Sequence, residues 1–82
     1  MSRGAGRGNV IIDSLPDNKY KVSDVDNAGD PEYCGFLHAS GGWYIIEITG
    51  GTEYRYAKGD ADYATNWTGR AELSYGLYSD TF

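Results

Sequence analysis

One cysteine, Cys34, and one histidine, His38, occur in 82 residues. A single thiol cannot close an intrachain disulfide, and one Cys with one His falls short of a structural zinc set. No apolar run nears the roughly 20 residues of a membrane-spanning helix. The first residues carry no apolar core of the kind a secretory signal needs, so none is expected. A chain this short forms one domain and buries a modest share of its surface. With disulfide and metal staples removed, contacts with a partner subunit are the expected source of extra stability.

Positive charge is also scarce. The formal net charge is −5 and the sequence pI about 4.5. Phosphate backbones select basic surfaces, so nucleic acid is not an expected partner. Arg3 and Arg7 stand in a glycine-rich opening, MSRGAGRGN, without an acid among them. With those two set aside from the seven basic residues, five face twelve acidic ones, a net of −7. Residues 1–12 are therefore read as a flexible arm on an acidic body, ending in the β-branched run Val10-Ile11-Ile12, which suits a strand or a hydrophobic anchor. Residues 13–82 are read as a single small β domain.

The chain is rich in aromatics, with eight Tyr and two Trp, and in glycine, with twelve. Asp13 to Asn18, with Pro16, reads as a turn. Lys19 to Ser23 alternates as a short strand with Tyr20 and Val22 inward. After an acidic loop, Asp24 to Pro31, three strands follow: Glu32 to Ala39, Trp43 to Thr49 and Thr52 to Ala57. The tight turns Ser40-Gly41-Gly42 and Gly50-Gly51 join them as hairpins. Ala71 to Tyr78 reads as a closing strand with Leu73, Tyr75 and Leu77 on one face. Tyr63 and Trp67 are four apart, so a short helical turn near residues 62–70, capped by Asp60 or Asp62, places them together. The expected fold is all-β, a small antiparallel sheet, sandwich or partly open barrel of about five strands. Tyr44, Ile46 and Ile48 form the expected inward set, with Trp67, Leu73 and Tyr75 completing the core. Trp43, Tyr54 and Tyr56 are left as contact candidates, together with Arg3, Arg7, Val10, Ile11 and Ile12, because Tyr and Trp are enriched at interfaces.

Three constellations offer chemistry and none completes a site. Asp24-Val25-Asp26-Asn27-Ala28-Gly29-Asp30 opens like a calcium loop, but Ala28 takes the fifth position and Gly35 the twelfth, where ligands are required. Asp60 and Asp62 form a carboxylate pair with no nearby partner for hydrolysis or metal binding. Cys34 and His38 share a strand face about 13 Å apart at the usual rise, too far to act as a dyad. Asn66-Trp67-Thr68 matches a glycosylation sequon, and Gly4-Ala5-Gly6-Arg7-Gly8 follows no strand as a nucleotide loop must. No catalytic residue, metal or cofactor is expected.

The stretch from Glu32 to Tyr75 resembles a group of small structural proteins of tailed bacteriophages. The shared features are Tyr33-Cys34-Gly35-Phe36, Trp43-Tyr44-Ile45-Ile46-Glu47-Ile48-Thr49, Ala57-Lys58-Gly59 and Asn66-Trp67-Thr68-Gly69-Arg70-Ala71-Glu72-Leu73-Ser74-Tyr75. The resemblance covers about half of the chain and leaves out its first thirty residues. It implies a non-enzymatic virion component, in the tail, neck, fibre adaptor or capsid decoration, made in the host cytoplasm. Its partners would be other virion proteins or further copies of itself, with no nucleic acid and no membrane. The competing expectation is a carbohydrate-binding module that stacks sugars on Trp43, Tyr44, Tyr54, Tyr56 and Trp67.

Overall fold

A computed structural model describes residues 19–82. Arg3, Arg7, Val10, Ile11 and Ile12, and with them the expected arm, lie outside the described residues. The fold is mostly β. Four antiparallel strands, β1 (Tyr20–Asp26), β2 (Glu32–His38), β3 (Trp43–Thr49) and β4 (Glu53–Gly59), form one open sheet in sequence order. Three short helical segments follow: α1 (Tyr63–Thr68), a 3₁₀ turn (Arg70–Glu72) and α2 (Tyr78–Thr81). Among the described residues there is neither a second sheet nor a closed barrel.

Local chemistry accounts for the meander. Gly50 and Gly51 both take positive φ (63° and 76°), as a type I′ hairpin turn requires, and Thr52 N donates to Thr49 O at 3.2 Å. The β-branched and aromatic residues of β3 pair on both sides, Ile45 with Gly35 and Ala57, Ile46 with Cys34 and Tyr56. β1 runs to Asp26, beyond the expected Ser23, and carries a bulge between Val22 and Asp24. Val22 and Val25 are three apart and would point to opposite faces of a regular strand. The extra residue brings both to one face, opposite Phe36 and Cys34.

The sheet therefore has two faces of different character. On the first, Trp43 and Ile45 are buried with Tyr33 and Ala57, and Tyr63 of α1 closes the cluster. Leu37, Trp67, Leu73 and Tyr75 pack against it. The expected inward set is thus corrected: Tyr44, Ile46 and Ile48 lie on the opposite face, only partly buried, and Ile45 is the residue at 0% exposure. The cause is the landing site for α1. Gly35 lies under Tyr63 and Trp67, where a Cβ would come within 2.9 Å of the Trp67 ring, and Gly59 leaves room for the Trp43 indole. Only this face has the small residues that let a helix and two indoles approach the backbone.

The closing strand is also corrected. Residues 70–77 form the 3₁₀ turn and an extended passage whose single bridge joins Gly76 to Tyr56, with backbone bonds of 2.8 and 2.9 Å, and Tyr78 already opens α2. The passage carries Leu73 and Tyr75 onto the core and leaves Leu77 exposed beyond the β4 edge. The helical turn occurs where expected, but its capping differs. Asp62 occupies the N-cap with φ 62° and makes no side-chain capping bond, so neither aspartate caps in the usual way. Its carbonyl instead accepts from Asn66 N at 3.1 Å and from Asn66 Nδ2 at 2.9 Å.

Candidate interaction surface

The acidic loop and α1 are bound together on the covered face. Arg70 donates from Nη2 and Nε to Asp26 Oδ2 at 2.7 and 3.2 Å, and from Nη1 to Trp67 O at 2.8 Å. Its guanidinium lies 4.4 Å from the Trp67 ring centre and 5.7 Å from that of Tyr33. These hydrogen bonds from Arg70, helped by Ala28 N, hold the Asp26 carboxyl below its usual range. Tyr63 Oη donates to Asp24 Oδ2 at 2.9 Å, and Asp30 Oδ1 accepts from Gly50 N at 2.8 Å. The acids that open like a calcium loop are thus engaged in tying the end of β1 to α1 and the 3₁₀ turn, and the β1–β2 loop to the β3–β4 turn. Among the described residues no group of three or more His, Cys, Asp or Glu could hold a metal.

The nucleophile candidates are separated too. His38 Nδ1 accepts from Ser40 N at 2.9 Å and stands 2.8 Å from Ser40 Oγ, in the β2–β3 turn. Cys34 lies on the same strand, and burial pushes its thiol up, away from the reactive thiolate.

Trp43, expected as a contact residue, is corrected: it is 4% exposed, and its Nε1 donates to Ala61 O at 2.7 Å. Tyr56 lies beneath the C-terminal segment, 5.3 Å from Tyr78 ring to ring. Of the expected aromatic contacts on the sheet, Tyr54 is the one standing open.

What sequence reasoning missed is the second face as a surface. Opposite the helices, β1 presents Val22 and Val25, β2 Cys34 and Phe36, β3 Tyr44, Ile46 and Ile48, and β4 Tyr54 and Tyr56, by register. Among the described residues, only α2 and Phe82 after it cover it, over the Tyr44 end and the β4 side: Phe82 meets the Tyr44 ring at 5.3 Å and that of Tyr56 at 6.0 Å, and Thr81 Oγ1 donates to Tyr56 O at 3.3 Å. Among the described residues, the exposed large hydrophobics Val22, Val25 and Tyr54 lie on this face, and Leu77 and Phe82 belong to the segment lapping over its edge. Its charges are Glu32 at the open end and Lys58 at the end under Phe82, the ammonium 5.2 Å from that ring. Among the described residues this is a contiguous, largely apolar sheet face that the helical segments leave half uncovered. Two signals in the sequence point to it: β3 is apolar on both faces, and Gly35, Ala57 and Gly59 reserve one of them for α1.

Among the described residues no helix is long and apolar enough to cross a membrane. Comparison with protein-family models, with curated proteins and with solved structures finds no match to the chain.

Proposed function

We propose that the chain is a non-enzymatic structural subunit of a tailed-bacteriophage virion, working through protein–protein contacts in an assembly of many copies. The bacteriophage part of this reading rests on the motifs between Glu32 and Tyr75. The contact part rests on one observation, the half-covered apolar face of the sheet with Val22, Val25 and Tyr54 exposed. A fold whose buried cluster is five residues among those described gains much from covering such a face, at roughly 25 cal/mol for each Å² of apolar surface removed from water. The carbohydrate-binding alternative loses its best platforms, since Trp43 is buried and Trp67 is stacked between Tyr63 and Arg70. Sugar stacking needs an open aromatic face, and Tyr54 alone makes a poor platform.

Quantitative mass spectrometry of purified virions tests the proposal. The expected result is a high copy number in a ratio fixed by the particle's symmetry. Absence from particles, with the protein abundant in infected cells, overturns it.

A further inference from the structure

We propose that the half-covered face is occupied by the same face of a second copy, in a two-fold arrangement that brings Glu32 of each copy to Lys58 of the other. The inference rests on reading this face as a contact surface, and adds to it the partner and the geometry.

Charge selects the arrangement. Glu32 pairs with Ile48 at one end of β3, and Lys58 pairs with Tyr44 near the other. Ile46 stands midway between them on the central row. A two-fold axis in the plane of contact through Ile46, perpendicular to the Glu32–Lys58 line and so diagonal to the strands, exchanges both ends and sides, so each carboxylate meets an ammonium. An axis parallel to the strands keeps the ends in place and sets Glu32 near its own copy, which like charge disfavours. The rest of the face, by register, is apolar or aromatic apart from His38.

Shape selects the same arrangement. α2 and Phe82 form a ledge over Tyr44 and Tyr56, at one end and on the β4 side of the central row, with Leu77 and Phe82 49% and 38% exposed, and leave the Ile48–Tyr54 end low. Exchanging the ends seats each ledge on the other copy's low end, beside Val25 and Tyr54. An isologous contact of this kind closes at two copies.

Area sets the strength. Four strands about 4.8 Å apart and roughly 20 Å long offer a footprint of about 400 Å² per copy. That is about half of the roughly 800 Å² per partner usual in stable complexes. The dimer is therefore weak and concentration-dependent, a contact that multivalent assembly strengthens.

Sedimentation equilibrium on the full chain, from about 10 µM to about 1 mM, tests this over the range a weak interface populates. The expected result is a monomer–dimer equilibrium. Val25→Lys, at an exposed position, weakens it about tenfold or more. Glu32→Lys weakens it by a similar factor, and adding Lys58→Glu restores it to within about threefold, with near-ultraviolet circular dichroism unchanged throughout. A monomer at every concentration, a stoichiometry above two, a dimer indifferent to Val25→Lys, or no recovery in the charge-swapped variant overturns the inference. The virion measurement is independent of these. A monomer present in particles overturns this dimer alone, and a dimer absent from particles overturns the virion assignment alone.

Discussion

Replacing Gly35 with alanine puts a Cβ 2.1 Å from Tyr63 Oη and 2.9 and 3.0 Å from two carbons of the Trp67 ring. Ordinary contact is above about 3.4 Å, so one of three things must move. Tyr63 cannot swing aside without losing its 2.9 Å bond to Asp24, and Trp67 is in contact with the Arg70 guanidinium, 4.4 Å from its ring centre. Lifting α1 instead loosens the lid on Ile45. Overpacking of this kind costs about 1–3 kcal/mol. Loss of the Tyr63–Asp24 bond adds about 1.5–3 kcal/mol where it breaks fully. The narrower unfolded ensemble of alanine returns about 0.4–1 kcal/mol. The net expectation is a destabilisation of about 2–4 kcal/mol, a fall in Tm of about 10 °C or more in a domain this small. Urea unfolding followed by tryptophan fluorescence measures it, since Trp43 and Trp67 both report on the packed face. Gly29→Ala is the internal control, because nothing lies within 4 Å of that site, and it should leave the midpoint nearly unmoved. In the Gly35→Ala background, Tyr63→Phe removes the clashing oxygen and should cost less than it does alone, a coupling that a double-mutant cycle resolves. A Gly35→Ala protein within about 0.5 kcal/mol of the parent would refute the account of which face the helix covers and why.

Further consequences follow from the same contacts. Burial pushes the Tyr44 and Tyr63 phenols up to about 12, from an ordinary value of 10. The folded chain holds these protons more tightly than the unfolded one, so stability is intact below pH 10 and falls between pH 10 and about 12. Phenolate absorbance at alkaline pH should rise in step with loss of the circular dichroism signal. Asp26 titrates in the opposite sense: its carboxyl is held low, so what it contributes is present above the usual carboxylate range and lost as pH falls through its folded value. Asp26→Asn should flatten the acid limb of a stability–pH profile while leaving the alkaline limb in place. Trp43→Phe deletes the bond to Ala61 O and part of the buried ring, and should cost about 1–3 kcal/mol in thermal unfolding. Tyr78 Oη is buried without a hydrogen-bond partner. Tyr78→Phe should therefore be neutral or stabilising by up to about 1 kcal/mol in the same assay.

Much of the sheet was legible in the sequence. β3 falls at Trp43–Thr49 as alternation and the flanking glycine pairs suggest, β2 and β4 differ from expectation by a residue or two at their ends, and α1 follows from Tyr63 and Trp67 at a spacing of four. The choice of face was not legible from β3 itself. Its odd positions offer Trp43 and Ile45, its even ones Tyr44, Ile46 and Ile48, so alternation marks a strand without saying which side is inward. Counting apolar residues favours the even side. The structure takes the odd side because the neighbouring strands place Gly35, Ala57 and Gly59 there, and a helix bearing two aromatics needs that recess. The 70–78 segment misled for a related reason. Leu73, Tyr75 and Leu77 alternate as a strand would, yet only Gly76 reaches the backbone of β4 before the chain turns into α2.

The same feature that hid the inward face supports the proposed contact surface. A sheet with one solvated face ordinarily shows polar residues along it. Here the outer face of β3 carries Tyr44, Ile46 and Ile48, and the bulge in β1 turns Val22 and Val25 toward them when a regular strand would have sent one of the two to the other side. Stability of the isolated sheet does not call for this, because the core closes on the opposite face without them. Apolar residues outside the described core are what the proposed contact with a second copy would cover. The polar groups agree: Asp24, Asp26, Glu47 and Arg55 fall on the helix-bearing face by register, and Glu32 and Lys58 lie toward opposite ends of the other. Charge is thus largely cleared from the sheet face that the three helical segments leave half open, a distribution that supports the proposed contact with a second copy.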